Sequence, residues 1–174
     1  MEQILGNKTL KELNLPSYME RIVERSVYAL NKTIKHADVV PPVYILIDKE
    51  RNITVVPNLG EIPTSHHVSI IKPLVQSLDI EYVVLTAEGS MLLDGVQRSE
   101  QEWVDLYEEY GSLNNHRDKK DSVNIINYSA ERMVQGCALV RPLSIKKNTR
   151  TFRELQYHVQ AANNTDTKLT GFFD

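Results

Sequence analysis

The sequence predicts a single α+β domain: a sheet of about five mostly antiparallel strands, with helices mainly on one face. The first observation behind this is the stretch Ile80 to Leu93, IEYVVLTAEGSMLL. In it Tyr82, Val83, Val84 and Leu85 are β-formers with no polar residue between them, as in a strand covered on both faces. The second is a pair of apolar β-forming runs on either side of a short charged turn, and a further such pair later in the chain. The third is helical periodicity in three other stretches, each ended by proline, glycine or a change of period.

Composition sets the bounds. With 174 residues, 41% apolar and 25% charged, the chain suits one ordinary globular domain. A chain of this length buries roughly 70% of its unfolded surface, so it needs no disulfide or metal to fold. The single Cys137 excludes an internal disulfide and a cysteine-based zinc site, and suits a reducing compartment. A net charge of −3 gives no overall pull toward nucleic acid or anionic lipid. No run of apolar residues is long enough to span a membrane, and MEQILGNKTLKELNL carries no signal-peptide apolar region. A cytoplasmic protein with no membrane partner is expected.

In chain order, residues 1–16 read as a docking arm. Ile4, Leu5, Leu10, Leu13 and Leu15 lie in a segment that ends at Pro16 and is too short for an isolated helix. It has to pack on this domain or on a neighbouring subunit. Residues 17–160 form the domain. Ser17 to Glu20 is a capping-box pattern, followed by Ile22, Val23, Ser26, Val27, Leu30 and Ile34 at helical spacing. Pro41-Pro42 stop that helix. Val43–Ile47 and Ile53–Val56 then flank the turn Asp48 to Asn52 as a hairpin. Ser65 is the expected N-cap of a helix from His66 to Ser77, with Val68, Ile71, Leu74, Val75 and Leu78 inward and Pro73 as an interrupter.

Strand 81–87 follows, the most buried element expected, and Glu88-Gly89-Ser90 should end it. Asp94-Gly95 is a turn. Ser99 to Glu102 repeats the capping box ahead of an acidic helix with Trp103, Leu106, Tyr107 and Tyr110 on one stripe and Gly111 as its C-terminal stop. A long hairpin pairs Val123–Tyr128 with Met133–Val140, with Gly136 a candidate bulge. Phe152, Leu155 and Tyr157 add a last element. Residues 161–174 are a polar linker and a tail carrying Phe172-Phe173. The expected core is Ile22, Val27, Leu30, Ile45, Ile47, Val55, Ile71, Leu74, Val83, Leu85, Ile125, Cys137 and Leu139.

No phosphate loop, Walker lysine, H-E-x-x-H or G-x-S-x-G is present, so no cofactor is expected. His66 and His67 are adjacent, so their side chains diverge and one metal cannot readily use both. Cys137 reads as a small core hydrophobe rather than a nucleophile. Glu88 ends a buried strand, and a buried carboxylate is normally paired, so Arg117 or loop amides are its expected partners.

One feature set resembles a known family. The order helix, PPVYILI strand, hairpin, helix, VVLTAE strand and NHRDKKD leading into a hairpin is similar to a family of small bacterial and phage proteins without an assigned activity. There a strand ends in Ser-Glu-Ala-Trp, and a later Pro-Asp-Arg-x-Glu turn opens the closing strands. The likeness spans roughly residues 20–143. Gly89-Ser90 stand where that family has Ala-Trp, and Asn115-His116 replace its proline-containing turn, so Glu88, Arg117 and Asp118 are the residues that match. The resemblance implies the order of elements, an acid–arginine pairing and a phage or mobile-element origin; it leaves function open.

Three functions follow as expectations. The leading one is a non-enzymatic interaction or assembly protein, self-associating or binding a protein partner through Trp103, Tyr107, Tyr110, Phe172 and Phe173. Phe172 and Phe173 are expected to pack on a neighbouring chain or in a distant groove of their own domain, and deleting residues 168–174 is expected to weaken assembly while leaving the domain folded. The second is a metal-dependent hydrolase or nuclease using Glu88, His116, Asp118 and Asp121, because hard-metal and general-acid sites need convergent carboxylates and imidazole. The third is a nucleic-acid-binding module using the basic stretch Arg141, Lys146, Lys147, Arg150 and Arg153.

Overall fold

The computed structural model describes residues 6–57, 59–92, 96, 98–111, 115–144, 149–161 and 171–173. Its elements in order are α1 (Ser17–Ile34), β1 (Val43–Asp48), β2 (Ile53–Val56), α2 (His67–Ser77), β3 (Ile80–Leu92), α3 (Glu100–Tyr110), β4 (Lys119–Tyr128), β5 (Arg132–Ser144), β6 (Thr149–Phe152) and β7 (Gln156–Ala161). Short 3-10 turns occupy Lys11–Leu13 and Thr64–His66. No helix among the described residues is long and apolar enough to cross a membrane.

The α+β class is as expected, but the sheet is larger than about five strands. Seven strands pair antiparallel in the order β2-β1-β3-β4-β5-β6, and β7 also pairs with β5. The extra strands come from the segments around Phe152 and Tyr157, whose apolar content in short polar surroundings did not read as two separate strands. Both use the same long partner: β7 runs beside Arg132–Cys137, and β6 beside Val140–Ser144.

Helices mainly on one face is also corrected, because the sheet is covered on both. Alternation along β3 sends Tyr82 and Val84 into a cluster with Met19, Val23 and Leu30 of α1, and sends Val83 and Leu85 into one with Ile71 and Val75 of α2. A strand with no polar face needs both covers. β3 is accordingly interior, between β1 and β4, with Val83 and Val84 fully buried. It does not end at Glu88-Gly89-Ser90. Ladder pairing with β4 continues through Gly89↔Ser122 to Leu92↔Lys119, because β4 starts early enough to supply partners.

Ser99 and Glu102 form the full capping box of α3, and the Gly111 amide closes the helix on the Tyr107 carbonyl from a positive φ of 71°. The first pattern does not cap: α1 starts one residue earlier, with Pro16 as N-cap and Ser17 already helical. Ser65 likewise lies inside the 3-10 turn that leads into α2. Pro73 stays within α2, and both it and Ser69, whose carbonyl loses its N–H partner, are exposed residues. Val55 and Leu78 are exposed rather than core, Val55 because β2 is the edge strand. Asp94-Gly95 lies outside the described residues.

Gly136 is not a bulge. Its pairings Ile125↔Gly136 and Gly136↔Tyr157 continue both ladders without a shift. It is needed for space: a Cβ there would lie 2.4 Å from Tyr157 Cε1 and 3.0 Å from Ile125 Cγ2. Gly136→Ala is expected to lose about 1–3 kcal/mol by overpacking, measured by urea unfolding. Unchanged stability would mean that the buried Tyr157 ring yields at no cost.

Both ends of the described chain join the domain. The amides of Asn7 and Lys8 donate to the Tyr157 carbonyl at 3.1 Å each, and the Tyr157 amide returns a bond to the Lys8 carbonyl at 2.9 Å, so the N-terminal segment covers the outer side of β7. Leu13 and Leu15 enter the α1-side core. At the other end Phe172 is 1% exposed, with its ring against Tyr44 and Tyr128 at centroid distances of 6.1 and 4.9 Å.

Candidate protein-interaction surface

The polar centre that the sequence points to is a structural clamp. Glu88 lies on the α1 side of β3 and meets the Arg150 guanidinium through both carboxylate oxygens, Nη1 to Oε1 and Nη2 to Oε2. Oε2 also accepts the Val40 amide at 2.9 Å, and Nη2 donates to the Ala37 carbonyl at 2.7 Å. The side chains are 8% and 20% exposed. One ion pair thus ties β3, β6 and the segment between α1 and β1 together. Two strands, β4 and β5, separate β3 from β6 in sheet order, so the contact requires the sheet to curl around the α1 face. Arg117 is not the partner: Glu88 stands opposite Val123 of β4, whereas Arg117 lies in the turn before that strand begins at Lys119 and pairs with its neighbour Asp118.

The residues of the metal-site reading do not converge. Glu88 holds Arg150, Asp118 holds Arg117 and Asp121 holds Lys119. His116 is buried with Nδ1 accepting the Asp118 amide at 3.0 Å and its ring 4.7 Å from that of Tyr110. It joins the end of α3 to the start of β4. Among the described residues no three His, Cys, Asp or Glu side chains are grouped as metal ligands would be. His67 is buried too, bonded at Nδ1 to the Tyr44 hydroxyl and at Nε2 to the Leu59 and Ile62 carbonyls. With carbonyls at Nε2, that nitrogen carries the proton and Nδ1 accepts from Tyr44. His66 faces out, so the two rings diverge. Burial pushes the Cys137 thiol up to about 11, against a smaller opposing effect of the Ser122 hydroxyl, so the thiolate needed of a nucleophile is scarce.

The basic stretch is divided. Arg150 is committed to Glu88, while Arg141 and Arg153 are exposed, and Lys146 and Lys147 lie outside the described residues. Of the aromatic set, Phe172 is built into the core and so is not presented to a partner, while Phe173, partly buried, packs beside that core. Trp103 is half-buried with the Arg98 guanidinium 5.1 Å from its ring centre; Tyr110 is half-buried and Tyr107 exposed.

A surface that sequence reasoning missed lies at the other margin of the sheet. An apolar groove of about 350 Å³ runs between α1 and the β1–β2 hairpin, lined among others by Ile22, Ala29, Ile45, Ile53 and Val55. Ile53 and Val55 are each 54% exposed. The turn is held by Asp48 Oδ1, which accepts the amides of Glu50 and Asn52, and the Arg51 guanidinium lies 4.4 Å from the Tyr18 ring centre on α1. The groove's wall and floor are therefore braced at the hairpin end. The signal in the sequence is ITVV itself, a strand too short and too apolar to hide both of its faces.

No family model, curated protein or solved structure matches the chain.

Proposed function

We propose that this chain is a protein-interaction module that receives an extended apolar segment along β2, with side chains entering the groove beside α1. The observation that carries the reading is the open sheet edge flanking an apolar groove. Strand addition uses these two parts: edge amides and carbonyls supply affinity, and a pocket for alternate side chains supplies selectivity. The scattered pairing of Glu88, Asp118 and Asp121 with separate cations supports this reading over metal-dependent hydrolysis.

The test is a selection of short phage-displayed peptides on dilute protein, with binding mapped by amide NMR shifts. Selected peptides are expected to be apolar at alternate positions, to shift the amides of Ile53 and Val55, and to lose binding to Val55→Lys. Peptides that bind wild type and Val55→Lys equally, leaving those amides unmoved, would refute the assignment.

A further inference from the structure

We infer that the occupant of the β2 edge is a second copy of the chain, joined through its own β2 about a twofold axis at Thr54; this rests on the interaction reading above.

The backbone determines which groups are offered. Asp48 donates to the Asn52 carbonyl at 3.1 Å, and the register continues through Leu46↔Thr54 and Tyr44↔Val56. In an antiparallel pair the bonded residues alternate, so Thr54 and Val56 turn their amides and carbonyls toward β1. Ile53 and Val55 turn theirs outward, and among the described residues these outward groups have no backbone partner. Exposed edges are normally blunted by charge, proline or a cover. Toward the opposite margin, β7 has its cover in Asn7 and Lys8 on Tyr157. Ile53–Val56 contains neither a charged residue nor proline.

The same groups are self-complementary. A twofold axis that makes two copies of one strand antiparallel stands perpendicular to the sheet and keeps each face on its own side. With the axis at Thr54, Ile53 of one copy faces Val55 of the other, and both are outward-bonding residues. All four outward amides and carbonyls on each strand are then used, giving four inter-chain hydrogen bonds within Ile53–Val56. An axis at Val55 would instead set Ile53 against Pro57, which has no N–H. In the favoured register the exposed Ile53 and Val55 side chains cover one another. The two grooves open on the same face and join into one apolar trough flanked by two copies of α1. Such an interface lies toward the small end, on the order of 1,000 Å² in total, so the dimer should be concentration-dependent.

Light scattering after size exclusion, from low micromolar upward, is expected to show the mass rising from 19.9 kDa toward twice that value. Val55→Pro removes an outward amide without touching the β1 ladder, and Val55→Lys places a charge against Ile53; both are expected to stay monomeric at every concentration. Thr54→Cys is expected to crosslink to a covalent dimer on mild oxidation, because the axial pair brings the two Cβ atoms about 5 Å apart; native Cys137 is buried. A wild-type monomer throughout, or a dimer that persists in both Val55 variants without Thr54→Cys crosslinking, overturns the inference. If the protein is monomeric yet selected peptides still shift Ile53 and Val55, only the second copy falls; if neither occurs, the interaction reading falls with it.

Discussion

Glu88→Gln is expected to lower the unfolding free energy by about 3 kcal/mol, the low end of the range for breaking a buried ion pair. The low end applies because Arg150 retains 20% exposure and its bond to the Ala37 carbonyl. The loss comes mainly from leaving Arg150 charged and without its carboxylate, so the double variant Glu88→Gln, Arg150→Met should recover part of it. In a chain of this size the single variant should melt about 10 °C lower. Thermal and urea unfolding of both singles and the double provide the cycle. Strictly additive losses would show that the two side chains do not act as a pair. The inter-chain contact is made by β2, with β1 between it and the strand that carries Glu88, so the folded fraction of Glu88→Gln should retain the wild-type self-association.

Phe172→Ala should be nearly as damaging, with a loss of about 3 kcal/mol from the cavity between Tyr44 and Tyr128. A full burial loss is not expected, because the undocked segment regains chain entropy. This reverses the expectation that residues 168–174 can be deleted without harm to the domain. With Phe172 in the α2-side core beside Leu46 and Val83, deletion should destabilise the monomer itself. Near-ultraviolet circular dichroism would report the loosening of Tyr44 and Tyr128. An unchanged aromatic signal and melting temperature in Phe172→Ala would show that the ring contributes nothing to the core.

Residues whose role is decided by their immediate neighbours were legible in the sequence. The capping box of Ser99 and Glu102 and the stop at Gly111 depend on three or four consecutive residues and formed as read. The apolar run Tyr82 to Leu85 identified an interior strand, because a segment without a polar face has nowhere to lie but between two layers. The same kind of local reading failed where two signals compete: Pro16 took the N-cap position and moved the start of α1 back to Ser17, and a β4 that begins at Lys119 extended β3 through Gly89.

What depended on strand order and curl was set by the tertiary structure alone. Glu88 required a buried cation, but the choice between Arg117 and Arg150 lay in the curl of β5 and β6, a contact across 62 residues that leaves no local trace. Phe172-Phe173 read as an aromatic pair needing cover, and only the pocket between Tyr44 and Tyr128 makes that cover internal. Val55 and Val83 carry the same side chain in similar β-forming surroundings. Val83 is buried because β1 and β4 flank it and α2 lies over its face, whereas Val55 is exposed because β2 pairs on one side only. Side-chain type determined by itself that both belong to strands; position in the sheet decided which became core and which became surface.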